Sequence, residues 1–172
     1  MDGDKKTEIA ELIKTYRTHL QSAFDVQQSL YKAKELLIQK LFSQLKVLAV
    51  SKGYIFEEDD DFFEIYNGFS FFVPHWKNVA IGFEFQKKNT NNMIFGLYHR
   101  NTPLDLRGDL DLYIQEQLKG ASTPTWPFFK KFDYQDWEYD ELPWLAIENG
   151  EMLRLLGQKL DMIRESTKGL VL

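Results

Sequence analysis

Residues 79–101 read VAIGFEFQKKNTNNMIFGLYHRN, and this stretch decides the fold. Val79, Ile81, Phe83 and Phe85 alternate with Ala80, Gly82, Glu84 and Gln86. Successive side chains on a strand point to opposite faces, so this period marks a strand with one buried face. The polar run KKNTNN follows, rich in asparagine, a residue that tolerates the left-handed backbone of tight loops. Met93, Phe95 and Leu97 then resume the alternation in a second strand. The expectation is a β-hairpin with Phe85 opposite Phe95 and Phe83 opposite Leu97, which keeps the apolar faces together. The other face then sets Glu84 beside Gly96, Gly82 beside Tyr98 and Ala80 beside Arg100. Glycine on a covered strand serves close packing, so Tyr98 is expected over Gly82 with a helix across both.

Upstream, Tyr54, Ile55 and Phe56 form a short apolar run before the acidic cluster of residues 57–61. Phe63, Ile65, Phe69, Phe71 and Val73 alternate with other residues around Asn67-Gly68, giving either two short strands about a turn or one bulged strand. Earlier still, residues 5–52 contain neither proline nor glycine. Their apolar residues recur at helical spacing, with Ile9, Leu12, Ile13, Tyr16 and Leu20 in one stripe and Leu30, Leu37, Leu41, Leu45 and Leu48 in another. This is one long helix or a helical hairpin; Asp25 and Gln28, spaced as a capping box, favour a break between two helices there. Gly53 is placed for a left-handed cap.

Downstream, Thr102-Pro103 can open a helix, and Gly108 makes residues 109–118 the safer span, with Leu110, Tyr113, Ile114 and Leu118 buried. The aromatic segment TWPFFKKFDYQDWEYDELPWLAIENG carries no clear period. A last helix is expected over residues 149–165, burying Met152, Leu155, Leu156, Leu160 and Ile163. The fold class is therefore α+β: an antiparallel meander of three to five strands packed against helices, with a long N-terminal helix or helical hairpin and a C-terminal helix. Residues 1–52 read as an N-terminal helical segment and 53–172 as the α+β domain, which residues 26–52 join in one compact unit.

The bulk composition sets limits on function. Apolar residues at 44% and aromatics at 15% exclude disorder and imply a core of rings. A net charge of −5 means that nucleic-acid contact requires a local basic patch. The absence of cysteine removes disulfide and thiolate chemistry and suits the cytoplasm. The polar start MDGDKKTE lacks the apolar run of a signal peptide, and no window approaches a membrane span. A cytoplasmic location is the expectation, with no membrane partner.

Several residues invite a chemical role. Lys87, Lys88, His99 and Arg100, joined by Lys130 and Lys131, are candidates for a basic binding rim at one end of the hairpin, although solvated loop charges would look the same. Trp76, Trp126, Trp137 and Trp144 are candidates for platforms on which bases or sugars stack, against the commoner role of such rings in a core or interface, and Tyr98 and Trp126 join the binding candidates. Residues 57–61 lack the alternating ligands and placed glycine of a calcium loop, so they read as a solvated turn. The three histidines, His19, His75 and His99, lack metal-ligand spacing.

Glu84 and Gln86 raise a sharper idea. Nucleases of the PD-(D/E)XK superfamily place an Asp and a (D/E)-x-K pair on neighbouring strands, so that two carboxylates hold Mg²⁺ and the lysine helps activate water. Here the string is Glu84-Phe85-Gln86, with Lys87 on the opposite face. Glutamine replaces lysine in some members of that superfamily, but no Pro-Asp strand precedes Glu84.

The segments KLFSQLKVLAVSKGY, IGFEFQKKNTNNMIFGLYHRN and TWPFFKKFDYQDW…AIENGEMLRLLGQKLDMI together resemble the C-terminal region of a family of bacterial PD-(D/E)XK nuclease superfamily proteins, mostly uncharacterised. The resemblance spans most of residues 30–163. It implies that catalytic residues lie upstream of the matched region, so none can be carried over to this chain. The expectation is a non-catalytic accessory module that positions a nuclease core or another protein, or contacts DNA, without a cofactor. One alternative is a degenerate nuclease using Glu84, Gln86 and Mg²⁺ with an acid from residues 57–61 or Glu64. Another is a structural protein that forms homo-oligomers through its N-terminal helices.

Overall fold

The computed structural model describes residues 3–88, 90–100 and 104–168. In chain order the elements are α1 (Gly3–Thr15), α2 (Arg17–Lys52), β1 (Ile55–Glu58), β2 (Gly68–Phe72), β3 (Val79–Lys87), β4 (Asn91–His99), α3 (Leu104–Gln117), β5 (Phe128–Lys131), α4 (Leu142–Glu148) and α5 (Glu151–Ser166). The architecture is α+β. Two compact units divide the chain, Met1–Gln39 and Lys40–Leu172, and the boundary falls within α2. No helix among the described residues is long and apolar enough to cross a membrane.

The five strands form one antiparallel sheet in chain order. The hairpin β3–β4 is present, but its register is shifted by two residues from the expected one. Phe85 lies opposite Met93, Phe83 opposite Phe95, Ile81 opposite Leu97, and Gly82 opposite Gly96, while Glu84 faces Ile94 and Ala80 faces Tyr98. The turn is shorter than KKNTNN implied, because Lys87 already pairs with Asn91. Thr90 (φ 59°) and Asn92 (φ 55°) supply the left-handed backbone that a tight reversal requires; Asn89 lies outside the described residues. A slip of two preserves the side-chain faces, so the rings still point inward.

That inward face is a packed array of phenylalanines. Phe69, Phe83 and Phe95, from three adjacent strands, stack with centroids 5.0 and 6.0 Å apart and planes within 19°. Phe71 and Phe132 meet Phe83 edge-on, at 6.0 and 6.2 Å. Offset stacks and edge-to-face pairs are the arrangements that ring quadrupoles favour. Helices seal this layer. From α2, Leu41, Leu45 and Ala49 are buried, and Phe42 reaches Phe56, Phe62 and Phe69. From α5, Met152, Leu156, Leu160 and Ile163 are fully buried. Gly157 of α5 is buried near Leu48 of α2, and Lys159 places its ammonium 5.3 Å from the Phe95 ring.

Several local expectations are corrected. The helical break falls at Tyr16, not near Asp25: Thr15 turns its hydroxyl back to the Glu11 carbonyl at 2.9 Å, a contact that bends helices. Asp25 accepts from Gln21 within the continuous α2 and so does not act as a cap. Phe63 and Ile65 lie in the turn between β1 and β2, where Asp61 accepts from the Phe63 N–H and Asn67 donates to the Asp61 carbonyl. The strand therefore starts only at Gly68. α3 runs through Gly108; of its expected stripe Ile114 is buried and Tyr113 is exposed, and residues 102–103 lie outside the described residues. The aromatic tail contributes β5 and α4, neither of which its pattern disclosed. Gly53 (φ 75°) does end α2 in the left-handed conformation.

Phe83→Ala is expected to cost about 3–5 kcal/mol, the range for emptying a fully buried ring position, as read by urea unfolding. A cost under about 1 kcal/mol would show that the stack is not central to the fold.

Candidate functional site

The opposite face of the same sheet is covered differently. Ser70, Gly82 and Tyr98 share it with Glu84, and no helical residue lines the cavity of about 190 Å³ that opens there. Two rings replace the expected helix. A side chain at Gly82 would meet Trp126 Cη2 at 2.7 Å and Tyr98 Cδ1 at 2.8 Å, so glycine is what allows both rings to lie against the strand. Tyr98 and Trp126 contact each other with centroids 5.4 Å apart.

Local chemistry sets Trp126 in place. The loop after α3 doubles back on β5 through paired bonds between Ala121 and Phe129, at 3.0 and 2.8 Å. Within it, the Thr123 hydroxyl accepts from the Trp126 N–H at 3.1 Å, and the Thr123 N–H donates to the Trp126 carbonyl at 2.8 Å. His99 N–H then ties the loop to β4 by donating to the Thr125 carbonyl at 2.9 Å.

Glu84 and Gln86, the catalytic candidates, do meet. The Gln86 amide donates to Glu84 Oε1 at 2.6 Å. Burial pushes the Glu84 carboxyl above the usual glutamate range, the Gln86 bond opposes that, and the neighbouring negative charge of Asp59 adds to it. Asp59 belongs to the acidic cluster read as a solvated turn. Its Oδ2 accepts from the Gly68 N–H at 2.7 Å, and Gly68 pairs with Glu84, which brings the two acids to one cavity. Glu64, the other proposed companion, instead faces Lys88. Among the described residues no group of three or more His, Asp or Glu side chains is arranged to hold a metal ion. Burial also raises the Tyr98 hydroxyl, against its hydrogen bond with Ser70.

No family model, curated protein or solved structure matches the chain. The site therefore rests on its own geometry.

The basic rim is not assembled. β3 has nine residues, so at about 3.3 Å each its ends stand about 26 Å apart. Lys87 and Lys88 sit at the turn end, His99 and Arg100 at the other, because antiparallel pairing sets Val79 against His99. Lys88 faces Glu64 at 3.8 Å. Arg100 lies 3.7 Å from the centre of the Phe72 ring and 3.4 Å from Glu57. His99 is buried against Asp111 at 2.8 Å, and burial lowers its affinity for a proton despite that partner. Lys130 and Lys131 are exposed neighbours on β5 and point to opposite faces, Lys131 to that of Ile94 and Lys130 to that of Phe95. Of the binding candidates, Tyr98 and Trp126 alone line the cavity. Trp137 and Trp144 belong to the core, where the Trp144 indole donates to the Trp137 carbonyl at 2.9 Å.

Asp59 is the residue that sequence reading missed as part of a site. The only signal for it was its place one turn before a strand that pairs with β3, which is legible once β2 is known.

Glu84 gives a pH dependence of definite sign. Its raised pKa means that the fold favours the protonated form, so this contribution is present below the ordinary value of 4.5 and is lost as pH rises through the raised value. Glu84→Gln is expected to be more stable than the natural chain at neutral pH and equal to it in acid, measured by urea unfolding at both. A loss of stability at neutral pH would contradict this.

Proposed function

We propose that the chain is a non-catalytic accessory module of a nuclease-superfamily protein, and that it engages a partner protein through the cavity on the face of Gly82 and Glu84. One observation carries the reading: a cavity walled by Tyr98 and Trp126 whose Glu84 carboxyl already accepts a hydrogen bond from the Gln86 amide. A lysine-like group that activates water needs a free donor aimed at substrate, and here the corresponding amide faces its neighbour. The acidic character of the cavity disfavours a phosphate backbone, and the separated lysines and arginine supply no continuous track for one. A cytoplasmic setting accords with the lack of cysteine.

The degenerate-nuclease reading has one observation in its favour, the convergence of Asp59 with Glu84. The two readings separate cleanly. Plasmid DNA incubated with the chain and Mg²⁺ or Mn²⁺ is expected to stay intact. Metal-dependent cleavage that disappears in Glu84→Ala would overturn the module reading.

A second contact surface is proposed on the N-terminal unit. Ile9, Leu12, Tyr16, Leu20 and Phe24 are each exposed there despite their apolar character, and a row of this kind marks a surface made for covering. Self-association through it predicts a smaller sedimentation coefficient per chain once residues 1–24 are removed, beyond the change in mass. A monomer in both cases would remove the proposal.

A further inference from the structure

The cavity has a particular electrostatic deficit. Two carboxylates converge on it, Asp59 and Glu84. Neither forms an ion pair with a lysine, arginine or histidine among the described residues, and the charge that bears on Glu84 is Asp59, of the same sign. Removing a carboxylate from water beside a like charge is costly unless a cation arrives. The walls match such a visitor. Tyr98 and Trp126 present ring surface, and ring faces attract ammonium and guanidinium groups.

The sheet already contains this recognition in miniature. Arg100 lies 3.7 Å from the centre of the Phe72 ring and reaches Glu57 at 3.4 Å. That is a guanidinium held between an aromatic face and a carboxylate, on the same sheet. The cavity offers two rings and two carboxylates, with no cation from the described residues to fill it.

We infer that this cavity takes a cationic side chain from a partner protein, arginine in preference to lysine, seated against Tyr98 and Trp126 and neutralising Asp59 and Glu84. The preference follows from shape. A planar guanidinium lies flat on a ring while its forked N–H groups address two acceptors, whereas an ammonium is compact and strongly hydrated. The inference deepens the module reading and rests on it: the partner presents a basic segment, and bringing it in relieves the strain on Glu84. A nucleic acid is the opposite ligand, since its phosphates would face two acids.

The test is an NMR titration of the ¹⁵N-labelled full chain with N-acetyl-argininamide, with N-acetyl-lysinamide and a mononucleotide run in parallel. Arginine is expected to shift the Gly82, Glu84 and Tyr98 amides and the Trp126 indole, and to bind more tightly than lysine. Glu84→Gln, which keeps side-chain size, is expected to weaken binding about tenfold, corresponding to about 1.4 kcal/mol. Lys131→Gln, on the same face but outside the cavity, is expected to leave it unchanged. Shifts scattered over the surface, shifts undiminished in Glu84→Gln, or a response to the nucleotide alone would each overturn the inference. None of these bears on metal-dependent cleavage, so the module reading stands or falls separately.

Discussion

The stack of Phe69, Phe83 and Phe95 is the constraint on which the rest of this structure depends. These rings come from neighbouring strands, and a cross-strand stack forms only when each residue sits directly opposite the next. The stack therefore ties together burial and register. It also explains the richness in phenylalanine: a flat layer of rings leaves edges and corners, and Phe62, Phe71, Phe132 and Trp137 fill them edge-on. The helices α2 and α5 then need only to lay aliphatic residues across a surface already closed.

Concentrating both helices on one face has a consequence for the other. A five-stranded sheet with apolar positions on its second side cannot leave all of them in water, yet Ala80, Gly82 and Gly96 offer little side-chain surface for a helix to grip. Two rings do the covering instead. Trp126, held by the Thr123 turn, and Tyr98, from β4 itself, close over Gly82 and stop short of Glu84. The cavity is what this partial cover leaves. Its polar lining follows from the same geometry, since the turn that joins β1 to β2 must return Asp59 to the start of β2, next to Glu84.

Charge on this molecule is distributed in local pairs, such as Lys46 with Glu58, Lys159 with Asp133 and Arg100 with Glu57. Exposed pairs of this kind contribute little to stability individually. Their importance lies in what they occupy. Of the cations that read as a rim in the sequence, Lys88, His99 and Arg100 face acids of this chain, while Asp59 and Glu84 form no ion pair among the described residues.

Period two in residues 79–97 was sufficient to establish both central strands and which side chains face inward, because a pleated backbone admits no other assignment. The 3.6-residue period likewise identified α5, and in α2 it found Leu41 and Leu45 but missed Ile38, Phe42 and Ala49, while Leu30 of the expected stripe is exposed. The register was not legible, since slips of two residues preserve every face; the one adopted goes with the stack of Phe83 on Phe95 and the left-handed backbone at Thr90 and Asn92. Nor was the helical break, because Thr15 and Tyr16 carry no proline or glycine to announce it. The meeting of Asp59 with Glu84 joins residues far apart in the chain, and the separation of Lys87 from Arg100 follows from the length of a strand that sequence proximity conceals. Local periodicity determines which face a residue occupies; which neighbours share that face depends on strand pairing and loop closure, and those only the assembled sheet decides.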